Sequence, residues 1–544
     1  YWTQMWLGTL EGLTDLNYDN VGYSGLAKVY YPGNYNASIE DRKSSYPTGQ
    51  RTKCRFNDAD SHMWTGIRHA WLLYENVDRV PDMDATEKSR LKAEAKMIVA
   101  IYYSHMLRHF GALPIVDHAI DPEDVNLPGR ATLQATVDFI IGLLNDAINC
   151  PDFPWRISDN DLANWDGRMT KAGAMALKAR VLLFVASPLF NDNAPYCDGE
   201  ASSSLMTWFG GYNKERWKDA INACEEFFTA LNGYYKLVEV GDNGTSDVRG
   251  AYTSAYYDRG TTETLISVRR NILNANANSI LSNSIRWGGY CPTKEYFDMF
   301  QMSDGTDFSW DNPEQAKNPF LNRDPRLYET FILDGDKYNG RTAALTEALA
   351  SDPVNYPQGA DWAQGGSTHV LSLGTGLACR KWGLDRNTEW KNRPIQWPFL
   401  RLAEIYLSYA EALNEYNGSP NAQAYDAVDK VRARVNLPGL KKGLGQKEFR
   451  EALLRERACE FGYEEVRFFD LIRWKLYNVF EKQLHGLHVY KHKDTGEYKF
   501  VPYELTKYPR VWWTSGFEPR WCLSAFPSVE INKGYGLVQN PGWE

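Results

Sequence analysis

A mainly α-helical fold follows from three features of the sequence. Apolar residues recur at helical spacing over long segments. Within those segments, two consecutive pairs set small residues against bulky ones. Between them lie stretches rich in Gly, Asn, Asp, Ser and Pro that carry scattered aromatic rings. In chain order, residues 21–60 come first as a loop-rich region holding Tyr23, Tyr30, Tyr31, Tyr35 and Tyr46. Helical periodicity then covers 61–79, 87–110, 132–149, 170–187 and 214–231. In 170–187 the small residues Ala172, Ala174, Ala176, Ala179 and Ala186 prepare a close-packed face for Trp217, Ala220, Ile221 and Ala223 of the next segment. A second loop-rich insert spans about 236–395, with one helix-like run from Thr293 to Phe300. Helical spacing resumes over 398–416, 421–435 and 446–480, where Ala403, Ala410 and Ala412 precede Ala424, Tyr425, Ala427 and Val428. This is the pattern of tetratricopeptide-type helix pairs, without the regular period of a pure solenoid.

Composition narrows the function classes. The 544 residues hold 60 Lys and Arg against 69 Asp and Glu, a formal net charge of −9. Nucleic acid is therefore excluded as the expected partner, because binding a phosphate backbone needs clustered cationic charge. The eight cysteines show no CxxC pair and no metal-ligand spacing, and they predict no disulfide framework. No run approaches the roughly 18 apolar residues of a spanning helix. Tyr1 rather than Met stands first, which leaves room for a leader removed upstream. The distinctive quantity is aromatic: 19 Trp, 33 Tyr and 23 Phe make up 14% of the chain. Flat amphipathic rings in such number point to a surface that stacks on a ligand.

Catalytic constellations are weaker. Glu404 with Glu411, and the series Glu456, Glu460 and Glu464, are the candidate paired carboxylates, since glycoside hydrolysis needs two carboxyls about 5–10 Å apart. Both groups lie among arginines at helical spacing, the pattern of structural ion pairs. His105 and His109 share a helix face, but Met106 stands where an HExxH metal site requires Glu, so they are assigned to packing or the surface. His485, His488 and His492 fall in a predicted loop. Asp304, Asp307 and Asp311 lack the spacing of an EF-hand. No metal and no cofactor is expected, and no nucleotide loop or nucleophile elbow is present. The constellation that remains is aromatic. Trp287 and Tyr290 flank Gly288 and Gly289, and Trp310, Trp362, Trp382 and Trp390 share the insert. Rings of this kind suit sugars, whose C–H faces pack on aromatic faces.

Several collinear segments sharpen this reading: "MWTGIRHAWLLYENVD" from Met63, "RDPRLYETFI" from Arg323, "FLRLAEIYLSYAEALNE" from Phe399, "LLRERACEFGYEEVRFFDLIRW" from Leu453 and "FPSVEINKGYGLVQNPGW" from Phe526. In that order they resemble the SusD/RagB group of cell-surface, nutrient-binding lipoproteins. The resemblance implies one SusD-like domain over 1–544. Its helical scaffold would cover about 61–235 and 396–480, and its ligand-binding regions about 21–60 and 236–395. It further implies a lipid anchor at the outer membrane, attached upstream of Tyr1. The chain would act as a lid on a TonB-dependent, SusC-like transporter barrel, deliver oligosaccharide or peptide, and perform no catalysis. Trp287 matches the place of a sugar-stacking aromatic just before the Thr293–Phe300 run, with Tyr290 and Trp310 as its neighbours. Tyr31, Tyr46 and Arg51 are further candidates in the loop before Met63. Arg401, Glu404, Arg455, Glu456 and Glu460 are expected to form a structural charge lattice. The alternatives are a peptide-binding member of the same group, a helical glycoside hydrolase using insert acids such as Asp304, Asp307 and Asp361, and an intracellular helical-repeat scaffold, which the aromatic inserts disfavour.

Overall fold

A computed structural model describes the chain except for residues 1–8, 23–24, 42–50, 57–62, 122, 125, 270–287, 339, 363–373 and 385–395, and the side chains of 163, 164 and 269. Its scaffold is a row of packed helices. These are α1 (Met63–Asn76), α2 (Ala85–Phe110), α3 (Leu133–Asn149), α4 (Lys171–Ala186) and α5 (Glu215–Ala230). In the insert lie α6 (Val248–Tyr257), α7 (Lys294–Met299) and α8 (Pro325–Thr330). The row resumes with α9 (Leu402–Asn417), α10 (Ala422–Ala433), α11 (Gln446–Phe461) and α12 (Arg467–Arg473). Each of α1 to α4 packs on the next, α5 packs on α9, and α9 packs on α10 and α11. The fold is mainly α, 44% helix with short strands.

Local chemistry sets the helix ends. Asp84, Thr132, Thr170 and Asn421 each accept a hydrogen bond from a backbone N–H two or three residues into α2, α3, α4 and α10. α9 stops at Gly418, whose φ of 74° is left-handed and open to glycine at little cost. The alanines of α4 and those of α9 are buried. Gly173 lets α4 approach the insert so closely that a Cβ there would stand 3.0 Å from Leu265 O and from Ile266 Cγ1. On α5, buried Trp217 stacks on Trp474 with ring centroids 5.7 Å apart.

Two predicted helices are corrected. The 398–416 segment begins as a strand, β2 (Gln396–Arg401), antiparallel to β1 (Thr264–Arg269), and turns helical only at Leu402. Pro398 lacks an N–H and biases Trp397 toward extended backbone, which delays the helix. The 446–480 segment is three helices, α11, α12 and the short Tyr477–Glu481. α11 ends at Gly462, where a Cβ would lie 1.9 Å from the Tyr296 hydroxyl, and Tyr463 and Glu465 both take positive φ.

The described parts of the loop-rich regions contribute buried residues to both cores. The insert has a core of its own, in which Trp382 stacks on Trp397 (5.1 Å) and Phe297, Phe331, Tyr256 and Tyr296 are buried. Region 21–60 contributes Tyr30, Tyr31 and Tyr35 to the helical core. All eight cysteines are free thiols. Among the described residues no helix is long and apolar enough to cross a membrane.

Candidate ligand-binding face

The described ends of three loop segments meet at one place. Asn20 N–H donates to Gly288 O (2.8 Å), and Asn17 Nδ2 donates to Gly289 O (2.9 Å). Next to this junction Asn17 and Tyr18 pair with Pro292 and Cys291. Thr293 then caps α7, its Oγ1 accepting from Tyr296 N at 3.1 Å. Gly374 packs so tightly on Asn20 that a Cβ would fall 2.6 Å from Asn20 Nδ2. Asn20, Gly288 and Gly374 therefore share one corner of the insert.

A stacked aromatic ladder borders that corner. The hairpin of β3 (His485–Lys491) and β4 (Tyr498–Glu504) pairs Val501 with His488 and Tyr503 with Gly486. Alternation along the strands places His488, Tyr490, Val501 and Tyr503 on one face and Leu487, Val489, Tyr498 and Phe500 on the other. The second face closes the insert core. On the first, His488 stacks on Tyr503 (centroids 4.0 Å, 21°) and on Tyr490 (5.8 Å, 24°). Glu347 Oε2 holds His488 Nδ1 at 2.5 Å, and the Tyr503 hydroxyl donates to Gly374 O at 3.3 Å. His488 and Tyr503 are half-buried, so part of this stacked, polar-edged aromatic pair stays accessible. That combination suits a ligand with apolar C–H faces and many hydroxyls.

The sequence-predicted residues divide. Trp287 and Tyr46 lie outside the described residues, as do Tyr23 and Trp390. Tyr31 and Tyr290 are corrected: each is 2% exposed and offers no ring face to a ligand. Tyr31 is held inside because its hydroxyl donates to Gly12 O and accepts from Asp19 N, while Arg510 covers the ring. Tyr290 packs against Tyr463 at 5.4 Å. Trp310 is half-buried, its Nε1–H bonded to Asp298 Oδ1 (2.9 Å) and its ring 6.1 Å from Phe500. It therefore belongs to the hairpin face opposite Tyr503. Arg51 is half-buried, with its N–H on Gly25 O at 3.2 Å. Trp382 is buried in the insert core.

The residues missed from sequence are Tyr503 and Asn20, with His488 placed in a predicted loop. The signal was present in the alternation of "HGLHVYK" and "YKFVPYE", which is the period of a strand.

Relatives support the same architecture. The SusD family profile matches residues 254–543, more than half of the chain. The chain belongs to the SusD family. Over 479 residues it is 23% identical to SusD-like protein P25 of Formosa agariphila, covering 85% of this chain and 78% of that protein. Its fold matches a SusD-like protein from Bacteroides fragilis with TM-score 0.70 at 23% identity, over 99% of this chain and 93% of the other. It also matches a SusD-like carbohydrate-binding protein from the same species, with TM-score 0.66 at 18% identity, over 98% and 93%.

In this SusD-family chain the candidate carboxylates are bound to arginines. Arg401 Nη1 donates to Glu263 Oε1 (2.7 Å) and Glu460 Oε1 (2.6 Å), and its Nε to Glu464 Oε2 (2.8 Å). Arg326 reaches Asp324, Glu456 and Glu460, while Arg432 pairs with Glu456 and Arg434 with Glu263 and Glu460. Glu404 accepts instead from Arg180 of α4, and Glu411 from Arg473. Arg455 stands apart from this lattice and pairs with Asp307. Of the other insert acids, Asp304 accepts from Thr306, and Asp361 pairs with Arg341.

Proposed function

We propose that this chain binds an oligosaccharide at the loop-rich face and passes it to a TonB-dependent, SusC-like barrel, without catalysis. The observation that carries the reading is the half-exposed Tyr503–His488 stack beside Gly374 and Gly288, the residue that follows Trp287. Trp287 and Tyr503 supply stacking faces, and Asn20 and Glu347 supply polar edges. Support also comes from a structural neighbour described as carbohydrate binding. Engagement of the helix carboxylates by arginines favours binding over hydrolysis. A lipid anchor upstream of Tyr1, holding the protein at the outer-membrane surface, completes the proposal.

Titration calorimetry against host, plant and microbial glycans and a peptide mixture tests it, with each sample checked afterwards for shortened products. The expected result is micromolar to millimolar binding of a glycan, no cleavage, and loss of heat in Trp287→Ala. Cleavage would overturn the reading, and heat with peptides alone would make the ligand a peptide. Co-purification with a SusC-like barrel from solubilised membranes checks the partner.

A further inference from the structure

Away from the loop-rich face, three ligating side chains converge inside the helical core. His105 and His109 sit one turn apart on α2, with rings 4.9 Å apart in an edge-on arrangement. Cys54 approaches them from the segment before α1. One ligand atom from each, the Cys54 Sγ and an imidazole nitrogen of each histidine, lie within 4.8 Å of one another, and all three residues are buried. His109 is 1% exposed, yet neither Nδ1 nor Nε2 has a hydrogen-bond partner among the described residues. A neutral imidazole carries one donor and one acceptor, and buried polar atoms are nearly always satisfied. The orphaned ring is thus a second observation, independent of the clustering, that a partner atom belongs between these side chains.

We propose that Cys54, His105 and His109 form a binding site for one divalent cation of the Zn2+ type. A thiolate with two imidazoles is a borderline-soft donor set that suits Zn2+ and disfavours Ca2+ or Mg2+, which take oxygen ligands. Three protein ligands leave the fourth tetrahedral position to water. Ligation draws the three ligand atoms, now within 4.8 Å of one another, to the closer separations set by metal bonds of about 2.3 Å to the thiolate and about 2.0–2.1 Å to each nitrogen. Neutral imidazole and thiolate are the forms that ligate, so binding transfers the Cys54 proton to solvent as the sulfur–metal bond forms. The charged groups acting on the cluster are the cations Arg108, Lys53 and Arg180 and the carboxyls Glu40 and Glu465. The ion would tie the segment before α1 to the end of α2, a structural role remote from the aromatic ladder.

Because the ligands are buried, the ion is loaded by refolding chelator-treated full-length chain with Zn2+ or Co2+. One Zn2+ per chain by mass spectrometry is expected, together with the tetrahedral Co2+ spectrum and its thiolate charge-transfer band. Cys54→Ser should abolish that band. His109→Gln should weaken Zn2+ binding by at least about tenfold, the scale on which even outer hydrogen-bond partners act. A chain lacking the half-buried thiols, Cys150→Ser with Cys197→Ser, should keep the band. The wild-type spectrum and this control read the site even if Cys54→Ser fails to fold. Wild type without a charge-transfer band, a band that survives Cys54→Ser, or a band lost in the Cys150/Cys197 control would each overturn the proposal.

Discussion

Arg401 Nη1 lies 2.6 Å from Glu460 Oε1, joining the end of β2 to α11 deep inside the molecule. Among the described residues the pair sits in a lattice of five cations, Arg326, Lys381, Arg401, Arg432 and Arg434, and five anions, Glu263, Asp324, Glu456, Glu460 and Glu464. Burial raises the Glu460 carboxyl, but Arg434, Arg401 and Arg326 together hold it well below the usual carboxylate range. Removing one member of such a lattice leaves buried charge uncompensated. Glu460→Gln should therefore cost roughly 3–5 kcal/mol of stability in urea denaturation. Glu404→Gln, opposite Arg180, should also destabilise. A Glu404→Gln protein of wild-type stability that had lost its ligand would count against a structural role.

Binding and stability should separate by residue. Tyr503→Ala removes a half-exposed stacking face and should weaken glycan binding by about tenfold, roughly 1.4 kcal/mol, with folding largely unchanged. Tyr31→Phe removes a buried hydroxyl that serves Gly12 and Asp19. It should lower stability by roughly 1–3 kcal/mol and leave affinity unchanged. Calorimetry and denaturation on the two variants check both halves, and the reverse pattern would move the site away from the ladder.

Asp19 gives a pH dependence of defined sign. Burial raises its carboxyl to about 7, against the Val21 N–H bond and Arg510, which lower it. The folded state therefore keeps a proton that the unfolded chain loses at lower pH. Its contribution is fully present below the unfolded value of 3.8 and is lost as pH rises toward about 7. Asp19→Asn cannot ionise and can still accept from Val21. Between pH 4 and pH 8 wild type should lose stability relative to this variant by a few kcal/mol, at about 1.4 kcal/mol per pKa unit. Parallel denaturation curves at the two pH values would remove Asp19 as the cause.

Gly173→Ala sets two effects against each other. Helix propensity alone predicts a gain of about 1 kcal/mol. The contacts at 3.0 Å with Leu265 O and Ile266 Cγ1 predict overpacking, at a cost of roughly 1–3 kcal/mol. Backbone at Leu265 cannot rotate away, so net destabilisation is expected. A higher melting temperature in the variant would show that β1 shifts freely.

Helix spans were legible because their cause is local: a 3.6-residue period, capping residues such as Thr132 and Thr170, and small residues along α4 and α9. The same logic exposes the misses. Periodicity is blind to Pro398 acting with a distant strand, so it predicts helix from residue 398 although Gln396 bonds Thr264 across 132 residues. Aromatic richness drew attention to the loop regions, but identical composition serves a buried ring and an exposed one. Tyr31 and Tyr290 lie in the core, whereas Tyr503, on a strand outside every helical span the sequence predicts, is only half-buried.

Helical class, family motifs and charge balance are legible in the chain alone, since each is written in neighbouring residues or their order. Which carboxylate meets which arginine, which aromatic rings stay half-buried, and the arrival of Cys54 beside His105 and His109 are settled by packing in three dimensions. Those outcomes depend on desolvation and on contacts between segments far apart in the chain, and no local pattern of residues encodes either.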